Sequence, residues 1–185
     1  MALKRIENRG AYNKELFMSV NFSSRDFAAD GFVESVYNTI SKSDVDAEQL
    51  HLEITERLLM GQPENAKDTL NECEKACIGI SIDDFGTGYS SLSYLHYFPI
   101  NILKIDRSFV MKMLTDESSY QLVKSMISLG KNLKMKIIAE GVETVEEANK
   151  LRELGCDMAQ GYFFARPMPE KDVTEFIIEN RKIDF

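Results

Sequence analysis

The sequence has few of the features that mark secreted or membrane-spanning proteins. No apolar run approaches the roughly 20 residues that a transmembrane helix needs, and the opening residues, MALKRIENRG, lack the apolar stretch of a signal peptide. Only three cysteines are present, Cys73, Cys77 and Cys156, and their spacing matches no metal motif. We therefore predict a cytoplasmic protein with no membrane segment. Its cysteines are expected to be free thiols, buried or partly buried, with Cys73 and Cys77 on one helix face.

Positive charges are outnumbered by negative ones, and histidine is scarce. Lys and Arg total 22 against 30 Asp and Glu, which gives a formal net charge of -8, and such a surface repels the backbone of nucleic acids. The two histidines, His51 and His96, have no second ligand or catalytic partner at a recognisable spacing. The sequence thus argues against nucleic-acid binding and against Ser-His-Asp or Cys-His catalysis.

Strand-like and helix-like segments alternate regularly along the chain. Apolar runs typical of strands are FMSVN, LHLEITE, IGISID, INILKID, KMKIIAEG and MAQGYFF. Segments with apolar residues three and four apart, typical of helices, are 31–41, 63–75, 119–133, 144–154 and 170–180. Pro63 suits a first helical turn, and Thr144 followed by Glu147 predicts a capping box. The 185 residues suit one domain. This alternation predicts an α/β fold of parallel strands joined by right-handed crossovers.

Two architectures fit this alternation, an open doubly wound sheet and a TIM-type (β/α) barrel. The predicted strands end in polar or charged residues, at Asn21, Glu53 and Glu56, Asp83 and Asp84, Lys104 and Asp106, Glu140 and Glu143, and Gln160. In a barrel these ends converge on one mouth, whereas an open sheet spreads them apart. We therefore predict a barrel. Because such barrels usually need about 250 residues, we expect an incomplete one of about six β/α units that lacks its first two strands.

The strand ends offer the ligands that divalent metal ions prefer. Mg²⁺ and Mn²⁺ bind hard oxygen atoms, which Asn21, Glu53, Asp83 and Asp84 supply on neighbouring predicted strands. The two adjacent aspartates suit a site that holds two ions a few ångströms apart. The sequence therefore predicts a site for Mg²⁺ or Mn²⁺ that suits hydrolysis.

Two further strand-end residues suit hydrolysis at such a site. Lys104 can neutralise developing charge or orient a water molecule, and Glu140 can take the proton from that water. A single strand-end acid is often a helix N-cap instead, and this structural interpretation is the alternative for each residue alone. The segment DDFGTGYSS, which starts at Asp83, predicts a tightly turning loop over the site. Its alternative is a strand-to-helix turn whose glycines accept unusual dihedral angles.

The motifs SVN, LEITE, IDDFGTGYSSLSYL, LKIDRSF, AEGVET and QGYFFARP resemble, in order and spacing, those of the EAL domain family. The resemblance runs from about Leu16 to the C-terminus. Members of that family are bacterial barrels that linearise cyclic di-GMP by metal-dependent hydrolysis of one phosphodiester bond. The resemblance therefore implies this substrate, this reaction and a Mg²⁺ or Mn²⁺ cofactor.

The resemblance also implies a role for individual residues. The implied metal ligands are Asn21, Glu53, Asp83 and Asp84; the catalytic residues are Lys104 and Glu140; the loop anchor is Glu56; the substrate-binding residues are Asp106, Glu143, Gln160 and Pro167. Of these assignments, the substrate-binding set is the loosest match to the family motifs.

The family's first two strands, with the Glu-Ala-Leu signature, should precede SVN, and residues 1–16 do not resemble them. We interpret 1–185 as a single EAL-type domain shortened at its N-terminus, with 1–16 as a leading segment. An incomplete barrel has unpaired strand edges, which predicts a homodimer or a partner chain over the opening. Two functions stay open: a phosphodiesterase whose site such a partner completes, and a catalytically inactive cyclic di-GMP receptor or protein-interaction module.

Overall fold

The computed structural model describes residues 16–27, 29–43, 45–61, 63–88 and 95–179. The strands are β1 (Met18–Asn21), β2 (Leu50–Thr55), β3 (Gly79–Phe85), β4 (Ile102–Ile105), β5 (Lys136–Ala139) and β6 (Met158–Ala159). The helices are α1 (Ser24–Phe27), α2 (Phe32–Ile40), α3 (Glu56–Gly61), α4 (Pro63–Lys75), α5 (Arg107–Val110), α6 (Glu117–Asn132), α7 (Val145–Leu154) and α8 (Glu170–Glu179), with a 3₁₀ turn at Ala47–Gln49. The predicted leading segment lies outside the described residues except for Leu16.

The six strands form one parallel sheet in the order β1-β2-β3-β4-β5-β6. Each strand therefore pairs with the next strand in the sequence, as in a TIM-type barrel. A doubly wound sheet would instead reverse its strand order at a switch point. The sheet curls into a half-barrel with helices against it, which confirms the predicted fold class.

Alternation along the strands separates the core from the barrel interior. On β2, Leu52 and Ile54 are fully buried in the apolar core, while Glu53 between them points to the opposite face. The same arrangement recurs on β4, where Leu103 and Ile105 flank Lys104. Apolar side chains thus hold the helices to the outside of the sheet, and polar side chains are left for the inside.

Two local predictions are confirmed at helix starts. Thr144 caps α7 by accepting a hydrogen bond from the backbone N–H of Glu147, and the Glu147 carboxylate accepts one in return from Thr144 N–H. Helix α4 begins at Pro63, as its fixed φ predicts.

Two other local predictions are wrong. The run MAQGYFF forms a strand only at Met158–Ala159, and the chain turns over residues 161–164. Helix α4 ends at Lys75, so Cys77 does not share a helix face with the buried Cys73. Cys77 is exposed in a turn with a φ of 57°.

The remaining thiols behave as packing groups. Cys73 and Cys156 are buried, and burial raises the pKa of the first to about 12 and of the second to about 11. Helices long and apolar enough to cross a bilayer are not found in the part of the chain that the structure describes.

Candidate active site

Lys104 lies at the centre of the polar cluster at the carboxyl ends of the strands. Its ammonium Nζ is 2.8 Å from Glu53 Oε1, 3.0 Å from Asp83 Oδ1 and 2.7 Å from Glu140 Oε1. The side chain is only 4% exposed. The structure thus brings together four of the predicted strand-end residues, one each from β2, β3, β4 and the end of β5, in a cluster that is largely buried.

The pKa of Lys104 shows how strongly the carboxylates act on it. Burial lowers this pKa, but hydrogen bonds to Glu140 and Glu53 and their negative charges outweigh that effect. The net result is a raised pKa, so Lys104 stays protonated at neutral pH. One positive charge is therefore fixed among three carboxylates.

Asp83 and Asp84 reach the same mouth although they are consecutive residues. Side chains of consecutive strand residues normally point to opposite faces. Here the register between β3 and β4 shifts between Ile82 and Phe85, and Asp84 has a φ of 53°. This irregularity re-aims the strand locally, as bulges beside functional sites do. Both carboxylates therefore face the site.

The acids of this mouth fit a hard divalent cation. One carboxylate oxygen each from Asp83, Asp84 and Glu140 lies within 4.8 Å of the other two. Asp83 Oδ1 is buried and receives no well-directed hydrogen bond from the described residues, although Lys104 Nζ is 3.0 Å away. The Nζ–Oδ1 distance is that of an ion pair. A buried carboxylate oxygen held by an ion pair alone can also serve as a ligand for a cation.

Charge repulsion at this mouth is visible in the pKa of Asp84. Burial raises that pKa, and the negative charges of Asp83 and Asp106 raise it further against the opposing effect of Lys104. Positive charge placed beside Asp84 would relieve the repulsion. The electrostatics therefore favour a cation in addition to Lys104.

Glu56 holds the loop that follows the two aspartates. This residue begins α3 and is 1% exposed, and its Oε2 accepts hydrogen bonds from Gly86 N–H at 2.9 Å and Gly88 N–H at 3.4 Å. Gly86 has a φ of 98°, a conformation that favours glycine. The described part of the DDFGTGYSS segment is thus a tethered turn, and residues 89–94 lie outside the described ranges.

Glu140 follows β5 and has two protein donors on one oxygen. Its Oε1 accepts a hydrogen bond of 2.6 Å from Gln160 Nε2 in addition to the contact with Lys104. Burial raises the pKa of Glu140, and the hydrogen bond and charge of Lys104 act against that rise. A carboxyl group with a raised pKa is a suitable proton acceptor for general-base chemistry.

A cavity of about 600 Å³ opens beside Glu140 and Gln160. Three predicted substrate-binding residues, Glu143, Gln160 and Pro167, line it. The structure adds three residues that the sequence did not single out, Arg107, Tyr162 and Arg166. The Arg166 guanidinium lies 4.6 Å from the centre of the Tyr162 ring. Tyr162 lies inside the predicted strand MAQGYFF and Arg166 lies just after it, so the sequence did not indicate that the two side chains meet at a turn after β6.

The other predicted residues are less closely tied to the cluster. Asn21 is exposed and lies in register beside Glu53 on the neighbouring strand. Asp106 caps the short helix α5, where its Oδ1 accepts hydrogen bonds from the backbone N–H and the hydroxyl of Ser108. Glu143 donates its backbone N–H to Glu147 Oε2 at 2.8 Å. The contacts of Asp106 are therefore those of a helix N-cap, which is the structural alternative that the sequence offers for a strand-end acid.

Comparison with known proteins places this geometry in a family. The EAL domain family profile matches residues 1–167, and so includes the leading residues that the motifs did not reach. The signaling protein YkoW of Bacillus subtilis is 41% identical over 165 residues, which are 89% of this chain and 21% of YkoW. The Pseudomonas aeruginosa protein MucR, described as a bifunctional diguanylate cyclase/cyclic di-GMP phosphodiesterase, is 40% identical over 84% of this chain and 23% of its own length.

Solved structures show the same likeness. The MucR phosphodiesterase in complex with c-di-GMP superposes with a TM-score of 0.89 at 37% identity, over 93% of this chain and 70% of that one. Klebsiella pneumoniae BlrP1, solved with c-di-GMP and either calcium or manganese, gives a TM-score of 0.83 at 25% identity over 91% of this chain and 43% of that one. The chain spans about a fifth to a quarter of YkoW and MucR. By its matching profile, its relatives and its fold, the chain belongs to the EAL domain family.

Proposed function

We propose that this chain, residues 1–185 as one EAL-type domain, carries out metal-dependent hydrolysis of cyclic di-GMP to the linear dinucleotide. The observation that carries the proposal is the largely buried cluster in which Lys104 and Glu140 lie beside Asp83, whose Oδ1 has no hydrogen-bond donor other than its ion-pair contact with Lys104 among the described residues. Family membership and the c-di-GMP complexes of MucR and BlrP1 support the choice of substrate.

Four residues would hold the metal ions. Asn21, Glu53 and Asp83 would ligate one Mg²⁺ or Mn²⁺, and Asp84 would help to hold a second. Their oxygen donors suit either ion. When bound, the ions supply positive charge that stabilises the negative charge developing on the phosphate. The raised pKa of Asp84 supports this assignment, because a bound cation would offset the repulsion from Asp83.

Two residues would act in the chemical step. Glu140 would accept the proton of the attacking water, because it lies in the mouth and its pKa is raised by burial. Lys104 would orient that water and offset charge on the phosphate, because it remains protonated among the carboxylates. Glu56 would keep the Asp83–Asp84 turn in its working position through Gly86 and Gly88.

The cavity beside Glu140 would take part of the nucleotide. Glu143, Gln160 and Pro167 lie at this cavity, and Asp106 follows the strand of Lys104 next to it. An apolar lining with a few polar groups is typical of sites for bases. Arg107 and Arg166 would attract the two phosphates of the substrate.

A homodimer, or a partner chain over the open side of the half-barrel, would complete the proposed site. Strand β1 has β2 as its one neighbour in the described sheet, and β6 has β5. Unpaired strand edges of this kind can add strands from another chain. The oligomeric state at working concentration tests this part of the proposal, and a stable monomer with full activity would contradict it.

The second candidate is a catalytically inactive cyclic di-GMP receptor or interaction module. One observation favours it: Lys104 already pairs with Glu53 and Asp83, two of the proposed metal ligands. If that pairing persists in solution, the ammonium competes with a metal ion for the same oxygens. Nucleotide binding without turnover would then be the expected behaviour.

Hydrolysis of cyclic di-GMP by the purified chain distinguishes the two candidates. The linear dinucleotide is followed with Mg²⁺ or Mn²⁺ for the wild type and for Glu140→Gln, with Glu146→Gln as a control on the exposed surface of α7. We expect turnover in the wild type and the control and a loss of about 100-fold or more in Glu140→Gln. Binding of the nucleotide without turnover by the wild type would support the receptor instead.

A further inference from the structure

The contact between Gln160 and Glu140 gives Gln160 a different role from the nucleotide contact that the sequence implies. The amide Nε2 of Gln160 is 2.6 Å from Glu140 Oε1, and Lys104 Nζ is 2.7 Å from the same oxygen. Because Lys104 is protonated and can only donate, Oε1 must be an acceptor. The described residues give Oε2 no hydrogen bond, so this oxygen remains for a group in the mouth.

The backbone around Gln160 is clamped at several points. Its N–H donates to Ala139 O at 2.9 Å, and its carbonyl accepts from Val142 N–H at 3.1 Å. At the next position, a Cβ added to Gly161 would lie 2.1 Å from Val142 O, so only glycine permits this close approach. Gln160 therefore reaches Glu140 from a fixed point of the chain.

Lys104 alone does not fix the orientation of the Glu140 carboxylate. Its ammonium also contacts Glu53 and Asp83, and an ammonium is a rotating point donor on a flexible stem. The planar amide of Gln160 adds a second, directed donor to Oε1. Two donors on one oxygen restrict rotation of the carboxylate about its last bond and hold Oε2 in one direction.

We propose that Gln160 is a positioning residue for Glu140, which it holds with one carboxylate oxygen toward the mouth, and that it acts through Glu140 rather than by contact with the nucleotide. This inference rests on the proposed function in that Glu140 is the proton acceptor. The contact itself can be tested without turnover.

The first test measures coupling between the two side chains in thermal melts. Gln160→Met removes the donor and keeps the side-chain length, and Glu140→Met removes the acceptor. Gln160→Met should lower the melting temperature of the wild type but change that of Glu140→Met by much less. Gln121→Met is the matched control, because Gln121 makes the same kind of bond to Glu117 Oε1 at 2.8 Å on helix α6. Its effect should be equal in both backgrounds.

Equal shifts for Gln160→Met in the two backgrounds would overturn the inference. This result would not bear on the proposed function, because no substrate is present. Conversely, a wild-type chain that turns over no cyclic di-GMP would contradict the proposed function and leave the coupling result standing.

The second test separates positioning from substrate contact by kinetics. With Mn²⁺ and cyclic di-GMP, Gln160→Met should lower kcat by about 10- to 100-fold and change KM by less than about twofold. Gln121→Met should leave both constants unchanged. A rise in KM at unchanged kcat would overturn the inference, because that pattern marks a residue that binds the nucleotide directly.

Discussion

The two ends of the sheet use polar side chains in opposite ways. At the amino ends of the strands, Asn101 Oδ1 accepts the backbone N–H of Ile80 at 2.7 Å, and Asp157 Oδ2 accepts that of Ile137 at 2.9 Å. Each of these side chains completes the hydrogen bonding of a strand backbone. Such groups contribute to stability because they leave no buried N–H without a partner.

At the carboxyl ends the polar side chains face one another instead. Lys104 is shared among three carboxylates, Asp83 Oδ1 has no directed donor among the described residues, and Asp84 has a left-handed backbone and a raised pKa. These features cost stability and suit a bound cation and substrate. The sheet thus keeps its stabilising polar residues at the amino ends of the strands and its functional ones at the carboxyl ends, as TIM-type barrels do.

The largest loss of stability should follow from removing the ammonium group of Lys104. Lys104→Met leaves Glu53, Asp83 and Glu140 without their shared counter-ion, and we expect a loss of about 3–5 kcal/mol in the free energy of unfolding. Urea unfolding in the presence of a chelator measures it. Lys150→Met is the control, because Lys150 pairs with Glu153 on the exposed surface at 2.6 Å, and its loss of stability should be much smaller. Similar losses in the two variants would contradict the contrast between buried and exposed pairs.

A smaller loss of stability is expected from a substitution at the amino ends of the strands. Asp157→Ala leaves the backbone N–H of Ile137 without its acceptor, which should lower the free energy of unfolding by about 1–3 kcal/mol. Turnover per folded molecule should stay within about twofold of the wild type, because Asp157 lies at the end of the sheet away from the mouth. Urea unfolding and hydrolysis of cyclic di-GMP measure the two quantities. A large loss of kcat in a folded variant would break the division between the two ends.

The smallest expected change is a gain in stability, and it concerns Asp84. Because the pKa of Asp84 is raised in the fold, its ionised form opposes folding at neutral pH, and this penalty disappears as the pH falls below the ordinary value of 3.8. Asp84→Asn should therefore raise the melting temperature without metal by about 1–3 °C at pH 7. Asparagine also tolerates the left-handed φ of 53°. The exposed Asp30→Asn serves as the control, and a lower melting temperature for Asp84→Asn would show that the charge is not destabilising.

Much of the fold could be predicted from the sequence because the signals are local. The alternation of apolar residues gave the six strands, and Thr144 with Glu147 predicted the start of α7. The end of β6 could not be predicted in this way. The run MAQGYFF has the pattern of a strand throughout. The turn depends on the close approach of Gly161 to Val142, and a contact between residues so far apart in the sequence leaves no local signal.

The site shows the same limit. Strand-end positions predicted that Glu53, Asp83, Lys104 and Glu140 would converge, since parallel strands bring their carboxyl ends together. The two contacts on Glu140 Oε1 could not be predicted, because they depend on how side chains from β4 and from the end of β6 meet across β5.

The most direct test of the account is whether the acids at the carboxyl end form a divalent cation site. The melting temperature is measured with and without Mg²⁺ or Mn²⁺ for the wild type, for Asp83→Asn and for Asp157→Asn as an acid of the amino end. A cation that binds the folded chain should raise the melting temperature of the wild type and of Asp157→Asn, and Asp83→Asn should lose most of this shift. Equal shifts in all three proteins would contradict a cation site at Asp83.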